Sequence, residues 1–251
     1  MCSATKISRL ETGARKANPR DVRDLCRLYG LADDDEADKL MSLARQARQD
    51  AWWTQYEPAF SRLLGLEQQA TAITSYSMYF VPALLQSSEY AREIIRGIVP
   101  KIGDDVLDLR VEARIRRQRL LDRQPPPRFR ALLDEAVLLR QVGGPATMRA
   151  QLDKMLACIG DGKAAIQVIP FDVGAHASAD SNFDFLEFGD ESLQRPIVYI
   201  EGLFNNLHLE RPVEIARYRE ALEYLRDAAL SPRDSKSLIT EIRNSSQPSR
   251  S

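Results

Sequence analysis

The sequence predicts an α+β, helix-rich chain: a small all-α head followed by a mixed α/β body with a small sheet. Three observations lead there. The first 50 residues hold three short helical patterns separated by turn residues. β-Branched and alternating runs appear only beyond Pro125-Pro126-Pro127. Helical periodicity flanks those runs on both sides, which leaves room for few strands.

In the head, Ser3 is placed as the N-cap of a first helix that runs through Glu11, with Ile7 and Leu10 on one face and Gly13 closing it. Asn18-Pro19 restarts the chain, Asn as N-cap and Pro in the first helical turn. Val22, Leu25, Cys26 and Tyr29 mark the stripe of that second helix, which Gly30 ends. A third helix starts in the acidic run 33–38, where negative charge suits a helix N-terminus, and ends near Asp50. Trp52, Trp53 and Tyr56 read as a hinge or docking point between head and body.

The body opens with helical periodicity to about residue 77, broken by Val81-Pro82. Residues 87–97 and 104–122 read as helices, and the three prolines end that region. Phe129–Leu133 and Ala136–Arg140 read as strand or mixed apolar runs. Gly143-Gly144-Pro145 leads into a helix at about 146–159, and Gly160-Asp161-Gly162 turns. Strands are expected at Ala165–Pro170, Phe183–Phe188 and Ile197–Glu201, with Asn205-Asn206 turning into Leu207–Leu209. Helices follow at 212–228 and from Ser231-Pro232 to about 243. The expected division is a head at 1–50, a body at 52–243 and a flexible tail at 244–251.

Composition narrows the class. Apolar residues are 44% and charged residues 28% of 251, enough for one sizeable core and one small one. No apolar run reaches the roughly 18 residues of a membrane span, and the start does not read as a signal peptide, so a cytoplasmic protein without membrane contact is expected. Cys2, Cys26 and Cys158 are too scattered for a disulfide framework or a zinc site. Net charge is −1, yet residues 1–30 carry seven basic side chains (Lys6, Arg9, Arg15, Lys16, Arg20, Arg23, Arg27) against three acidic ones (Glu11, Asp21, Asp24). A basic head on a near-neutral body suits a module that meets phosphate at one end only.

The segment Ser3–Gly13, with Asn18-Pro19 and Leu28-Tyr29-Gly30 behind it, resembles the recognition helix and the following helix of XRE-type helix-turn-helix repressors. The resemblance implies contact with double-stranded DNA. Ala4, Thr5 and Lys6, next to the Ser3 cap, would face base edges, and Ser8, Arg9, Arg15 and Lys16 would reach phosphates or groove edges. In that family two helices precede the recognition helix, whereas here Ser3 already caps it. The head is therefore expected to be a partial, truncated helix-turn-helix domain.

The remainder resembles the uncharacterised domain that follows such heads in many actinobacterial regulators. The features are Trp52-Trp53 with Tyr56, Val81–Gln86 with Tyr90-Ala91, the Arg110–Arg119 helix, Gln151-Leu152, Gln167–Phe171 with Gly174-Ala175-His176, Phe183, Val198–Glu201 and Ala229-Leu230-Ser231. This implies a transcriptional regulator, often paired with a small partner protein encoded nearby. A homodimer is expected, since two-fold regulators read palindromic half-sites.

Other candidates are fewer. Arg110, Arg114, Arg116, Arg117, Arg119 and Arg123 crowd one helix and read as a solvated face with Asp108, Glu112 and Asp122, or else as an anion surface. His176, in a small-residue loop directly after a strand, together with Tyr199 and Glu201, is the candidate lining for a small-molecule effector. Glu187, Glu201 and Asp172 otherwise read as rim charges. No metal, cofactor or catalytic set is indicated, and no phosphate loop, dinucleotide fingerprint or nucleophile elbow is present. The alternatives to a regulator are a protein-interaction module without DNA binding, and an enzyme with a pocket around His176, Tyr199 and Glu201.

Overall fold

Short capped helices build the N-terminal part of the chain. In the computed structural model the described residues are 3–12, 14–15, 17–31, 34–48, 52–56, 58–177, 181–189, 194–202 and 206–245. They fall into two compact units, 1–56 and 57–251. In the first, α1 (Ala4–Glu11) begins where the Ser3 hydroxyl accepts from the Lys6 N–H at 3.3 Å. In α2 (Pro19–Leu28) the Asn18 side chain accepts from the Asp21 N–H at 2.8 Å, with Pro19 in the first turn. After α2, Gly30 takes φ +71°, and the Leu31 and Gly30 N–H groups return to the carbonyls of Cys26 and Arg27. This closes the helix in the double hydrogen-bond pattern that a left-handed glycine permits. Asp34, Asp35 and Glu36 occupy the first turn of α3 (Asp34–Arg48), and among the described residues of this unit the buried apolar side chains are Cys26, Met41 and Ala44. Gly13 lies outside the described residues. Trp52 meets Trp53 and Tyr56 edge-on, at 5.8 Å between ring centres in each case, in a 3-10 turn that belongs to this first unit.

The second unit is built on a six-stranded mixed sheet in the order β3-β2-β1-β4-β5-β6. It opens with α4 (Pro58–Gln69), then β1 (Ala72–Ser77). α5 (Ser88–Ile98) and α6 (Asp104–Arg117) carry the chain to β2 (Arg128–Asp134), parallel to β1. α7 (Ala136–Leu139) and α8 (Gly144–Gly160) carry it to β3 (Ala165–Ile169), parallel to β2. β4 (Phe183–Glu187) then pairs antiparallel with the other side of β1, followed outward by β5 (Ile197–Ile200) and β6 (Leu207–Leu209). α9 (Pro212–Ala228) and α10 (Pro232–Ser245) complete the unit.

Two readings of the sequence need correction. Residues 72–77 are not the end of a helix but the central strand. All six are buried, including Thr74, Ser75 and Ser77, so the strand shows no alternation of apolar and polar residues. A strand covered on both faces loses the period-two signal. Ala136–Leu139 is a single helical turn rather than a strand, started by the Asp134 carboxylate accepting from the Ala136 N–H at 2.8 Å.

Alternate residues of each strand enter opposite cores. On one face Ile73, Ala131, Leu133, Ile166, Val168, Leu186 and Ile197 pack with Leu63, Tyr90, Ile94, Met148, Leu152 and Ile239 from the helices. On the other, Tyr76, Leu132, Ile169, Phe183, Phe185 and Val198 pack with Ile215, Leu222 and Leu225 of α9. The outer edge of β3 is closed by chain rather than left to water. The Leu230 N–H donates to the Val168 carbonyl at 2.8 Å, and the Val168 N–H donates to the buried Ser235 hydroxyl at 3.0 Å. Ser235→Ala leaves the Val168 N–H without its acceptor and is expected to cost about 1–3 kcal/mol, read as a lowered urea midpoint with unchanged slope.

Candidate functional site

Helix α1 presents Ala4, Thr5, Ser8 and Arg9 to solvent, and Arg15, also exposed, returns its backbone N–H to the Arg9 carbonyl at 3.0 Å. Lys6 points elsewhere. Its Nζ lies 2.5 Å from Oδ1 of Asp21, a residue of α2 only 3% exposed, so Lys6 ties α1 to α2. The hydrogen bond from Lys6 is the main cause that holds the Asp21 carboxyl below the ordinary aspartate range, against its own burial. At the other end of α1 the Tyr29 hydroxyl donates to Glu11. Lys16 lies outside the described residues.

In the body, the helix expected over 104–122 ends at Arg117 and continues as a 3-10 turn to Asp122, and the arginines of α6 and of that turn divide by role. Arg117 is buried and grips Glu67 of α4 with two parallel bonds, Nε to Oε2 at 2.7 Å and Nη2 to Oε1 at 2.6 Å. Burial pushes the Glu67 carboxyl up while Arg117 pulls against it. Burial also opposes the charge on Arg117, but attraction to Glu67 outweighs it and raises that guanidinium's pKa. Arg114 donates to the Gln86 side chain at 3.0 Å, and Arg123 donates to the backbone carbonyls of Gln68, Ala70 and Pro125. Arg116 and Arg119 instead line an open groove of about 510 Å³ between α5 and α6, together with Arg92, Asp108 and Glu112.

The Glu67–Arg117 pair touches the sheet. Asp184 of β4 lies 4.0 Å from Arg117 Nη2 and accepts from the Ser75 hydroxyl at 2.5 Å. Directly across the strand pair from Asp184 is Tyr199 of β5, whose phenol is pushed up by burial and then by Glu201, and so remains a neutral donor. Glu201, the residue just past the end of β5, adds its charge to the surroundings of Arg114, Arg117, Asp184 and Tyr199.

A scaffold of amides supports these groups. Gln151 accepts from the Ser87 N–H at 2.7 Å and donates to the Leu85 carbonyl at 2.8 Å. Lys154 donates to the Gln86 carbonyl and the Gln118 side chain at 2.7 and 2.6 Å.

Of the three residues expected to line one pocket, the structure brings Tyr199 and Glu201 together but not His176. His176 belongs to the opposite face, edge-on to Tyr76 at 5.9 Å and 3.8 Å from Asp134. Glu67, Ser75 and Asp184 escaped the sequence reading. In Phe183-Asp184-Phe185-Leu186-Glu187 the acids read as the solvent side, a rule that holds only when one face of the sheet is wet.

A helical N-terminal unit followed by an α+β unit with a polar cluster defines a two-part protein, and comparison with known families agrees. Residues 60–241 match the family described as "Domain of unknown function (DUF5753)", and residues 1–40 match "Helix-turn-helix domain". The chain belongs to the DUF5753 family and carries a helix-turn-helix domain ahead of that region. Comparisons with curated proteins and with solved structures found no match. Among the described residues no helix is long and apolar enough to cross a membrane.

Two outcomes follow from these ion pairs. Arg117→Met strands the Glu67 carboxylate and is expected to cost about 3–5 kcal/mol, whereas Glu67→Leu with Arg117→Met costs less than the single change; urea unfolding of both variants decides it. Because the Asp21 pKa is depressed in the fold, its contribution is present above the ordinary aspartate value of ~3.9 and lost as pH falls through the lower folded value. The gap in melting temperature between wild type and Asp21→Asn, followed on the amide resonances of α1 and α2, is expected to be open at neutral pH and to close in acid.

Proposed function

We propose that this protein is a cytoplasmic, dimeric, XRE-type transcriptional regulator whose body senses a small molecule or a partner protein. The observation that carries the reading is the helix-turn-helix match over residues 1–40 on a segment with a basic excess. DNA contact falls to the exposed edge of α1 and the turn after it: Ser3, Ala4, Thr5, Ser8, Arg9 and Arg15, with Lys16 beyond. Lys6 supports these residues by holding α1 against α2 rather than by reading bases. Ala4 and Thr5 are small enough to let the helix N-terminus approach base edges, and Arg9 and Arg15 supply phosphate charge.

Duplex DNA selected from a random pool by the protein gives the test. Arg9→Ala is expected to weaken binding across all sequences and to reduce the slope of log affinity against log salt by about 0.9, the value of one phosphate contact. Unchanged affinity and slope in both Arg9→Ala and Arg15→Ala, measured by fluorescence anisotropy, would remove α1 from the interface.

A further inference from the structure

The ion pairs between α5 and α6 form a ladder that stops one rung early. Arg96 pairs with Asp104 at 3.2 Å, and Arg92 pairs with Asp108. Each rung steps four residues back on α5 and four on along α6, the spacing that keeps side chains on one helix face. The next rung sets Ser88 opposite Glu112. Ser88 is short and uncharged and cannot complete it. The groove of about 510 Å³ opens at this vacant rung, lined by Ser88, Glu112 and the completed Arg92–Asp108 pair.

The floor of the groove is apolar and firmly held. Val111 and Ile115, one turn apart on α6, line it. Val111 is buried with Ile95 and Leu107 in a small core, and Ile115 packs against the same core. The groove has room for about 17 waters at ~30 Å³ each. A bare inorganic ion leaves most of that space empty, so a ligand that fits has a body as well as a charge.

The walls lean to one sign. Three guanidinium groups, on Arg92, Arg116 and Arg119, line the groove with two carboxylates, on Asp108 and Glu112, a surplus of one positive charge. Arg92 is taken by Asp108. Glu112 stands four residues before Arg116 on the same stripe, the order in which acid and base support each other along a helix. Arg119 has no such neighbour. The acid three residues on, Asp122, is bound to Lys163 at 2.8 Å, and Arg119 makes no hydrogen bond or salt bridge among the described residues. Its planar fork brings five N–H donors to the groove. A cation at the vacant rung would meet the positive surplus, whereas an anion meets donors.

We infer that this groove binds a small organic monocarboxylate with an apolar body, of the acyl or aryl acid class. The carboxylate meets the fork of Arg119, and the body covers Val111 and Ile115 in the space that Ser88 leaves open. One negative charge balances the surplus. A phosphate monoester, with about 1.5–2 negative charges, overshoots it beside Glu112. A neutral molecule of the same shape leaves Arg119 unmatched. The inference deepens the reading of the body as a small-molecule sensor and rests on that part of it, while His176, Tyr199 and Glu201 do not line this groove.

The test is isothermal calorimetry of the full chain, without DNA, against octanoate and naphthoate, with their carboxamides and acetate beside them. At least one of the two acids is expected to bind with Kd below about 1 mM, and its carboxamide and acetate about 10-fold or more weakly. Two variants locate the site. Arg119→Gln removes the unmatched charge at an exposed position, and Ser88→Arg fills the vacant rung opposite Glu112. Both are expected to bind the acid about 10-fold or more weakly, with Ser88→Arg holding or raising the melting temperature. Far-UV circular dichroism verifies the fold of each, and should one variant misfold the other decides. No binding by either acid up to about 10-fold above that concentration, equal binding of acid and carboxamide, or full-strength binding by a folded variant overturns the proposal. Acid binding that leaves DNA affinity unchanged supports the site and removes its regulatory role, so the two failures read separately.

Discussion

The bidentate pair of Glu67 and Arg117 is the constraint around which the body is arranged. It joins the helix that precedes the sheet to the helix that crosses between β1 and β2, and it does so in the interior. Two charges withdrawn from water are tolerable only if their geometry is fixed and their remaining valences are met. Asp184 and Ser75 meet part of that need from the sheet, which fixes β4 against β1 at the polar position Ser75↔Asp184. A one-residue slip of β4 would turn Asp184 into the α9 core and bring Phe185 toward a guanidinium.

The same constraint explains why the surrounding helices are rich in amides. The 3-10 turn Ala83–Leu85 and the first residues of α5 leave backbone carbonyls and N–H groups inside the protein. Gln151, Gln118 and Lys154 reach them from α8 and from the end of α6, so one network satisfies the backbone and holds Arg114 beside it. Polar groups in this half of the body are thus mutually positioned, in contrast to the α9 face, where aromatic and aliphatic packing dominates.

Much of this was legible in the sequence, and the failures share a cause. The capped helices of the head, the strands at 165–169, 183–187 and 197–200, and the two C-terminal helices stand where periodicity and punctuation placed them. The central strand β1 did not show, because a strand covered on both faces by side chains as polar as Thr74 and Ser75 carries no period. Tyr199 and Glu201 are close because they are two residues apart in the chain, although β5 ends at Ile200, one residue short of the expected strand; assigning His176 to them required knowing which face its loop folds over. Likewise the crowd of arginines between Arg110 and Arg123 gave no hint of which one is buried. Only the placement of Glu67, 50 residues away in the chain, separates Arg117 from its solvated neighbours.

The order in which the strands are made has a consequence for how the body is assembled. β1 and β2 are neighbours both in the sheet and in synthesis, but the other side of β1 waits for β4, which pairs Ala72 with Glu187. At ribosomal rates the interval between completing β2 and completing β4 lasts roughly 3–10 s. Throughout it, β1 presents an unpaired edge, and the Glu67–Arg117 pair lacks Asp184 above it. The nascent body is therefore a half-sheet with an open flank next to buried charge, the state in which such a chain is most exposed to wrong strand partners.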